Sequence, residues 1–531
     1  MINYWWVTRP KRKLNSIPEV LSTFVRVTLN QKWQQQRGMH LSFEDELEKS
    51  GLKKLGERRD QTGGGARTYK AWLSSLGLIF THEKTQEVKL TLAGEAIING
   101  ESPVLVLRNQ ILKYQFPSSF SLSKGVNVNE RFKVRPFRFL FRLLLDDEVC
   151  YLTEEEIAKI VIVHAENETE TCFQKVKSEI LEFRIFGDSS LEKDFFEKYA
   201  SSKGTINTQH PYSHLLDTAN TLINWIEYTQ YAFRNDGKLR ILNDQVQNVQ
   251  RVLSVQTPFI DRPNNQEYFQ RKFGIDPNHK KDTRDFSKEE TVTSKAIEEM
   301  VVRNEFIKLS SISPIVRINS TVISAIYEST GINVARIESI LNKLYPHGAI
   351  GPFLSNFFEL AFSGRDNATE FEIATHSIFK EIFGYESFHV GPLGLTPDIL
   401  VNSSEFKYLG IIDNKAYSTY SITNDHRNRM VHNYIRGVRN YSKIENPLGF
   451  FLYISGGFGS NIDNQISSIV GETGINGSAI SISNFIELID LHLQNPLGHN
   501  QIKSIFSMNR QVLLADIDKY KGSQPRTSKV S

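Results

Sequence analysis

The sequence predicts a multidomain chain: a mainly α-helical first half, then an α/β domain with a mixed central sheet. Three observations predict this. With 531 residues the chain is too long for one core, so two to four domains are expected. From about residue 366 onward, short β-branched apolar runs alternate with amphipathic helical stretches, as in α/β domains. Before that, helical spacing dominates and the strands are short and attached to turns. Apolar residues make up 40% and charged residues 23%, which is ordinary for a soluble globular protein.

The elements follow in order. ARTYKAWLSSLGLIF (66–80) spaces Tyr69, Trp72, Leu73 and Leu76 as one helical face, and HEKTQEVKLTLAGEAII reads as a hairpin and then a helix. These belong to a first region, 1–125. Within it, residues 1–72 hold 14 Lys/Arg against 7 Asp/Glu, an excess that suits a polyanionic partner as well as a plain solvated face. A second region, 126–272, contains RPFRFLFRLLLDD, with Arg135, Arg138 and Arg142 at helical spacing for phosphates or for solvent. In the same region Thr153 and Glu156 form a capping box before a helix. HLLDTANTLINWIEYTQYAF (214–233) is helical, and RNDGKLRIL carries an Asn-Asp-Gly turn into a strand. A helix followed by a hairpin is how winged helix-turn-helix modules are built. Such modules usually set a helix in the major groove of duplex DNA, although some bind proteins instead.

FGIDPNHKKDTRDFSKEE (273–290) is polar and nearly free of apolar residues, the best linker in the chain. A helical connector is expected over 291–365. The α/β domain spans 366–515, with helix 368–383, hairpin 398–413, helix 423–442, strand 448–454, helix 461–470, strand 478–482 and helix 483–493. A basic, disordered tail is expected over 516–531. MINYWWVTRPKRKL has no apolar core or cleavage site, and nowhere do eighteen apolar residues run together. Cys150 and Cys172 make neither a disulfide framework nor a zinc pair. A cytoplasmic protein with no membrane association is expected.

The residues that carry chemistry lie in PDILVNSSEFKYLGIIDNKAYS (397–418). Leu409–Ile412 is a buried-strand run that ends in charge. Side chains alternate along a strand, so Asp413 and Lys415 share a face and Asn414 takes the other. Asp398 opens a second apolar run, Ile399–Val401. Two carboxylates at adjoining strand ends offer hard oxygen ligands of the kind Mg²⁺ takes, leaving room for water and a phosphate. Lys415 could orient that water or balance transition-state charge as a compact cation. Read bare, an ordinary surface hairpin with a salt bridge is the better explanation of so short a match. Its context favours chemistry: a helix with Glu372 precedes it, its apolar side formed by Phe371, Ile378, Phe379 and Ile382. A helix bearing Arg427, Arg429, Arg436 and Arg439 follows it.

Residues 366–495 resemble the PD-(D/E)xK nuclease domain of type IIS restriction endonucleases of the FokI kind. The resemblance rests on FEIATHSIFKEIFGYESFHVGPLGLTPDILV, YLGIIDNKAYS, FFLYISGGFGSNIDNQI and GSAISISNFIELI. Residues 58–120, with ERRDQTGGGARTYKAWLSSLGLIF and LRNQILKYQFPSS, look like the N-terminal half of AlwI-type enzymes. The resemblance implies a restriction-endonuclease-like fold behind a winged-helix-type DNA-recognition region. It implies cleavage of double-stranded DNA a few base pairs outside a short asymmetric site, in a bacterial or archaeal cytoplasm. It makes Asp398 and Asp413 metal-binding acids, Lys415 the catalytic lysine and Glu372 a helical glutamate at the metal site, with Glu370 and Glu381 as neighbours. The implied cofactor is Mg²⁺, with Mn²⁺ as a substitute. Implied partners are a transient homodimer through the nuclease domain or a small second nuclease subunit, and a cognate DNA methyltransferase. FokI-like domains dimerise through a helix just after the catalytic hairpin, using an Asp/Arg pair. Here that stretch reads TNDHRNRMVHNYIRG. Expected DNA contacts are Arg58, Arg59, Gln61, Arg67, Lys70, Arg427 and Arg429.

Other readings are weaker. TGGGARTYK lacks the GK[ST] ending of a P-loop, and ISGGFGSN lacks the third glycine of a dinucleotide fingerprint. His426 and His432 straddle a basic helix and suit solvent or phosphate better than metal. The five tryptophans, Trp5, Trp6, Trp33, Trp72 and Trp225, are expected in the core. The alternatives to a double-strand cutter are a strand-specific nicking enzyme, the large subunit of a heterodimer, or a non-catalytic winged-helix DNA-binding protein.

Overall fold

The helix Gly64–Ser75 begins where Gly63 takes a left-handed backbone, with φ of 78°, a conformation that costs glycine little. Its apolar face (Ala66, Tyr69, Trp72 and Leu73) is buried, as the spacing predicts. The computed structural model describes residues 1–54, 62–123, 126–201, 210–286, 294–346, 348–391 and 395–521. The expected DNA contacts Arg58, Arg59 and Gln61 lie outside these, as do residues 522–531 of the expected tail. The chain forms two compact units. One is Met1–Ser311 with Arg317–Pro352, and the other is Ile312–Val316 with Phe353–Ser531.

In unit 1 the helix Gly64–Ser75 runs into β1 (Ile79–Thr81) and β2 (Val88–Leu90), an antiparallel pair with Ile79 opposite Leu90. A second helix–hairpin follows the same plan. The helix Ser213–Tyr228 leads into a three-stranded sheet of β3 (Leu152–Thr153), β4 (Ala232–Asn235) and β5 (Lys238–Ile241), ordered β3-β5-β4. Asp236 and Gly237 both have positive φ, 48° and 73°. A two-residue hairpin turn that matches strand twist requires this, and the Asn-Asp-Gly sequence announced it. The capping box is formed as read: Glu156 Oε2 accepts from Thr153 N at 2.7 Å, and Thr153 Oγ1 accepts from Glu156 N at 3.2 Å. Trp5, Trp72 and Trp225 are fully buried, Trp33 is buried, and Trp6 stacks half-buried on Phe120.

Each arginine of the stripe is engaged by partners within the protein. Arg135 binds Glu168 through Nε at 2.8 Å, and Arg142 pairs with Glu170. Arg138 donates to the carbonyls of Val252, Leu253 and Val255 at 2.9–3.0 Å. Those carbonyls close the helix Val246–Ser254, whose last acceptors have no partner of their own, so Arg138 serves as its cap.

The polar stretch read as a linker starts at the end of the helix Gln266–Phe273. Its described part is fastened to unit 1. Lys113 Nζ donates to the carbonyls of Phe273 and Ile275 at 3.0 and 2.7 Å, and Phe286 packs edge-on against Phe80. Asp282 lies between Arg271 Nε at 3.0 Å and Arg284 Nη2 at 2.8 Å. Burial works against its charge, but the hydrogen bonds from Arg284 and Arg271 override that and hold its pKa at about 2.

Unit 2 is built on a mixed sheet of six strands among the described residues, ordered β11-β10-β9-β8-β7-β6. β6 (Glu386–His389), β7 (Ile399–Ser403) and β8 (Tyr408–Asn414) are antiparallel. β9 (Leu448–Ser455), β10 (Gly477–Ser481) and β11 (Gln511–Val512) continue from β8 in parallel. All seven residues of β8 are buried, which is why its sequence reads as an unbroken apolar run and not as an alternation. The helix Ala368–Ser377 continues as a wider π turn over Ile378–Ile382. Phe371, Ile378, Phe379 and Ile382 are buried, and the Phe379 ring stacks on Phe485 of the helix Ile482–Gln494. The helix expected over 423–442 forms in three pieces: Asn424–Asn428, a π turn over Arg429–Ile435, and Val438–Tyr441. The short helix Leu514–Asp518 follows β11.

Candidate active site

The site is set by strand register. Ile399 of β7 pairs with Ile412 of β8 in an antiparallel ladder, so one step further the ladder brings Asp398 beside Asp413. Asn414 N donates to Asp398 Oδ2 at 2.6 Å, closing that corner. Lys415 Nζ lies 2.6 Å from Asp413 Oδ2, so Asp413 and Lys415 meet on one face, as alternation requires. Asn414 turns the other way. Its Nδ2 donates to Thr375 Oγ1 at 2.5 Å and to the Phe371 carbonyl at 3.2 Å. Both acceptors flank Glu372 on its helix, so the spacer residue of the D-N-K run ties that helix to the strand end.

Glu372 approaches from this helix. A methyl group on Gly391 would lie 3.1 Å from Glu372 Oε2 and 3.4 Å from Asp398 Cα, so glycine at 391 leaves the two acids a common corner. His389 Nε2 lies 2.9 Å from Glu372 Oε2. On the opposite side, a Cβ on Gly456 would fall 2.6 Å from the Tyr417 carbonyl oxygen. The glycine-rich end of β9 is thus a close-packing turn against the chain that leaves β8.

The electrostatics are those of crowded carboxylates around one cation. Burial, then the neighbouring Asp413 carboxylate, push Asp398 well above the ordinary carboxylate range. Burial pulls Lys415 down, but Asp413 and Asp398 outweigh it and keep the ammonium charged. Burial, then Asp413, likewise raise the phenols of Tyr420, Tyr434 and Tyr453. Asp413 Oδ1 and the Tyr453 hydroxyl are buried with no hydrogen-bond partner among the described residues, although strand register makes these residues neighbours.

No three His, Cys, Asp or Glu side chains among the described residues form a ready-made cation cage. The donor set still fits a hard divalent ion. An orphaned buried carboxylate oxygen beside a second carboxylate, with one ammonium against two or three acids, leaves net negative charge and open oxygen ligands.

The other expected residues lie elsewhere. Glu370 and Glu381 are exposed, Glu381 pairing with Lys380 at 3.4 Å. Arg427 binds Glu472 at 2.6 Å and Ser468 at 3.1 Å, Arg429 pairs with Asp425 at 2.9 Å, and Arg436 reaches Glu472 at 3.3 Å. Arg439 donates to the Ile444 and Glu445 carbonyls. His426 Nδ1 lies 2.8 Å from the Tyr420 hydroxyl, and His432 contacts Arg436. Arg67, in unit 1, donates to the Thr62 carbonyl at 2.7 Å, and Lys70 is half-buried on the same helix. His389 is the neighbour that sequence reasoning missed. Its signal was the run ESFHV ahead of Pro397, a short edge strand whose pairing with β7 sets His389 opposite Ile399.

Two family profiles match the chain: "FokI, cleavage domain" over residues 331–513 and "AlwI restriction endonuclease" over residues 74–322. No curated protein matches it. Among solved structures, restriction endonuclease FokI shares 14% identity with 97% of this chain and 100% of that chain covered, at a TM-score of 0.28. FokI bound to DNA shares 12%, covering 92% and 89%, at 0.27. The BpuJ1 endonuclease binding domain, in complex with modified DNA, shares 14%, covering 54% and 90%, at 0.31.

Proposed function

We propose that this chain, a type IIS restriction endonuclease with a FokI-like cleavage domain, binds a short asymmetric DNA site through unit 1 and cuts outside it through unit 2. The observation that carries the cutting role is the meeting of Asp398, Asp413 and Lys415 at one buried strand end.

Asp398, Asp413 and Glu372 would hold Mg²⁺, with Mn²⁺ as a substitute. When bound, the ion neutralises the scissile phosphate and acidifies a water. Lys415 orients that water and balances charge on the phosphorane-like transition state. Asn414 fixes the strand end against the Glu372 helix, and His389 orients the Glu372 carboxylate. For recognition, each helix–hairpin of unit 1 supports a winged-helix reader, Gly64–Ser75 with β1–β2 and Ser213–Tyr228 with β3–β5.

The test is supercoiled plasmid of varied sequence with wild type and Asp413→Ala. Wild type should give discrete linear fragments with Mg²⁺ or Mn²⁺ and none in chelator, and the variant should give none. Intact plasmid with wild type, on methylated and unmethylated DNA alike, would sink the reading.

Double-strand cutting calls for a second active site. Asp425 and Arg429 form an exposed i,i+4 pair at 2.9 Å on the helix after the catalytic hairpin. A two-fold axis there would let two copies exchange these partners, Asp425 of each meeting Arg429 of the other. Arg429→Asp should therefore convert linear product into open circles, and Asp425→Arg combined with Arg429→Asp should restore it. Undiminished linear product from the single variant would argue for another dimer face or a separate second subunit.

A further inference from the structure

Two adjoining clefts in unit 1 are lined by none of the candidate active-site residues, and of the expected DNA contacts Lys70 lines the first. The first, about 590 Å³, lies between the helix Gly64–Ser75, the β1–β2 hairpin and the start of the helix Gln266–Phe273. Every residue lining it is polar. That composition suits neither a small apolar ligand nor the apolar core of a protein interface. Gln34, Gln86 and Asn264 present exposed amides there. The second cleft, about 510 Å³, shares Glu83, Asn265 and Glu267 with the first and carries Lys280 and Lys281.

The walls are fixed while the reading groups are free. Glu267 Oε2 accepts from Glu83 N at 2.7 Å and Gln266 Oε1 from Thr81 N at 3.1 Å, pinning the helix start to the hairpin. Among the described residues, the Gln34 and Asn264 amides and the Lys70, Lys280 and Lys281 ammonium groups have no hydrogen-bond or ion-pair partner. Burial pulls Lys70 down to about 8, the mark of a cation that lacks a counter-charge, which a phosphate would supply. Free amides pair bidentately with adenine edges, and carboxylates such as Glu83 accept from cytosine. Unpaired lysines hold backbone phosphates without reading sequence.

We infer that this double cleft is the base-reading trough of the enzyme, with Gln34 and Asn264 as specificity-determining residues and Lys70, Lys280 and Lys281 as its phosphate grip. The inference rests on the proposed site-specific DNA cleavage. It also assigns DNA contact to a stretch whose composition alone suggested a linker.

The probe is a library of 30-base-pair duplexes with a randomised centre, bound by the full chain in EDTA so that nothing is cut, and then sequenced. Wild type should enrich one short motif. Gln34→Ala and Asn264→Ala, each checked for an unchanged melting temperature, should relax one or two positions of it. At those positions discrimination against the wrong base should fall roughly 5- to 100-fold. Lys280→Ala with Lys281→Ala should leave the motif unchanged, weaken all duplexes alike, and lower the slope of log affinity against log salt by about 1–2. If wild type enriches a motif that both amide variants reproduce unaltered, the trough is assigned wrongly while the nuclease reading stands. If wild type enriches nothing and also leaves plasmid uncut, both fall.

Discussion

Replacing Lys415 with alanine is expected to lower the single-turnover cleavage rate by a factor on the order of 10²–10³, with duplex binding in EDTA within a few fold of wild type. The size of the effect follows from where the ammonium sits. It is held 2.6 Å from Asp413 Oδ2 in a corner that Asp398 shares. There it is the one described cation against the acids, and it acts where little water screens it. Lys415→Arg should not rescue, because a planar fork does not fit where a point charge contacts a single carboxylate oxygen. Cleavage by Lys415→Ala at the wild-type rate would remove the lysine from the mechanism.

Asp398→Asn should abolish cleavage and at the same time make the metal-free protein harder to melt. Burial and Asp413 raise the pKa of Asp398. A raised acid means that the folded chain keeps a proton the unfolded chain has released. The cost of this carboxylate is therefore absent at pH below its unfolded value near 4. It grows as pH rises from there and is complete above the folded pKa. Asparagine keeps an oxygen to accept from Asn414 N but carries no charge. At pH 8 in chelator the variant should melt about 2–4 °C above wild type, and the gap should close towards pH 4. A lower melting temperature for the variant at pH 8 would mean that Asp398 is not under the repulsion described.

Much of this was legible because periodicity and spacing are local properties. The β8 run Leu409–Ile412 declared its burial, alternation placed Asp413 with Lys415, and Asn235-Asp236-Gly237 declared its turn. Helix and strand ends in the second half fell within a few residues of those observed, as for 461–470 against Ile462–Thr473. Features fixed by distant partners stayed hidden. β6 is four residues long with an alternating, half-exposed face, so it gave no apolar run, and His389 went unnoticed with it. The fate of Arg135, Arg138 and Arg142 depended on carboxylates and carbonyls from 28 to 122 residues away, which a helical stripe cannot reveal. The choice among Glu370, Glu372 and Glu381 likewise needed the fold: only Glu372 faces the Asp398 corner, through the gap left by Gly391.

Asn414 has a consequence for how such sites are searched for and transplanted. A motif written as acid, any residue, lysine leaves its middle letter blank. In this chain that letter is a joint: its main chain braces one acid while its amide bolts the strand to Thr375 and the Phe371 carbonyl. The pattern is then better written with its distant complement, asparagine at the centre and a hydroxyl three residues after the helical glutamate. Moving the hairpin into another scaffold without that hydroxyl would carry over the acids and the lysine and leave behind the part that keeps them in register.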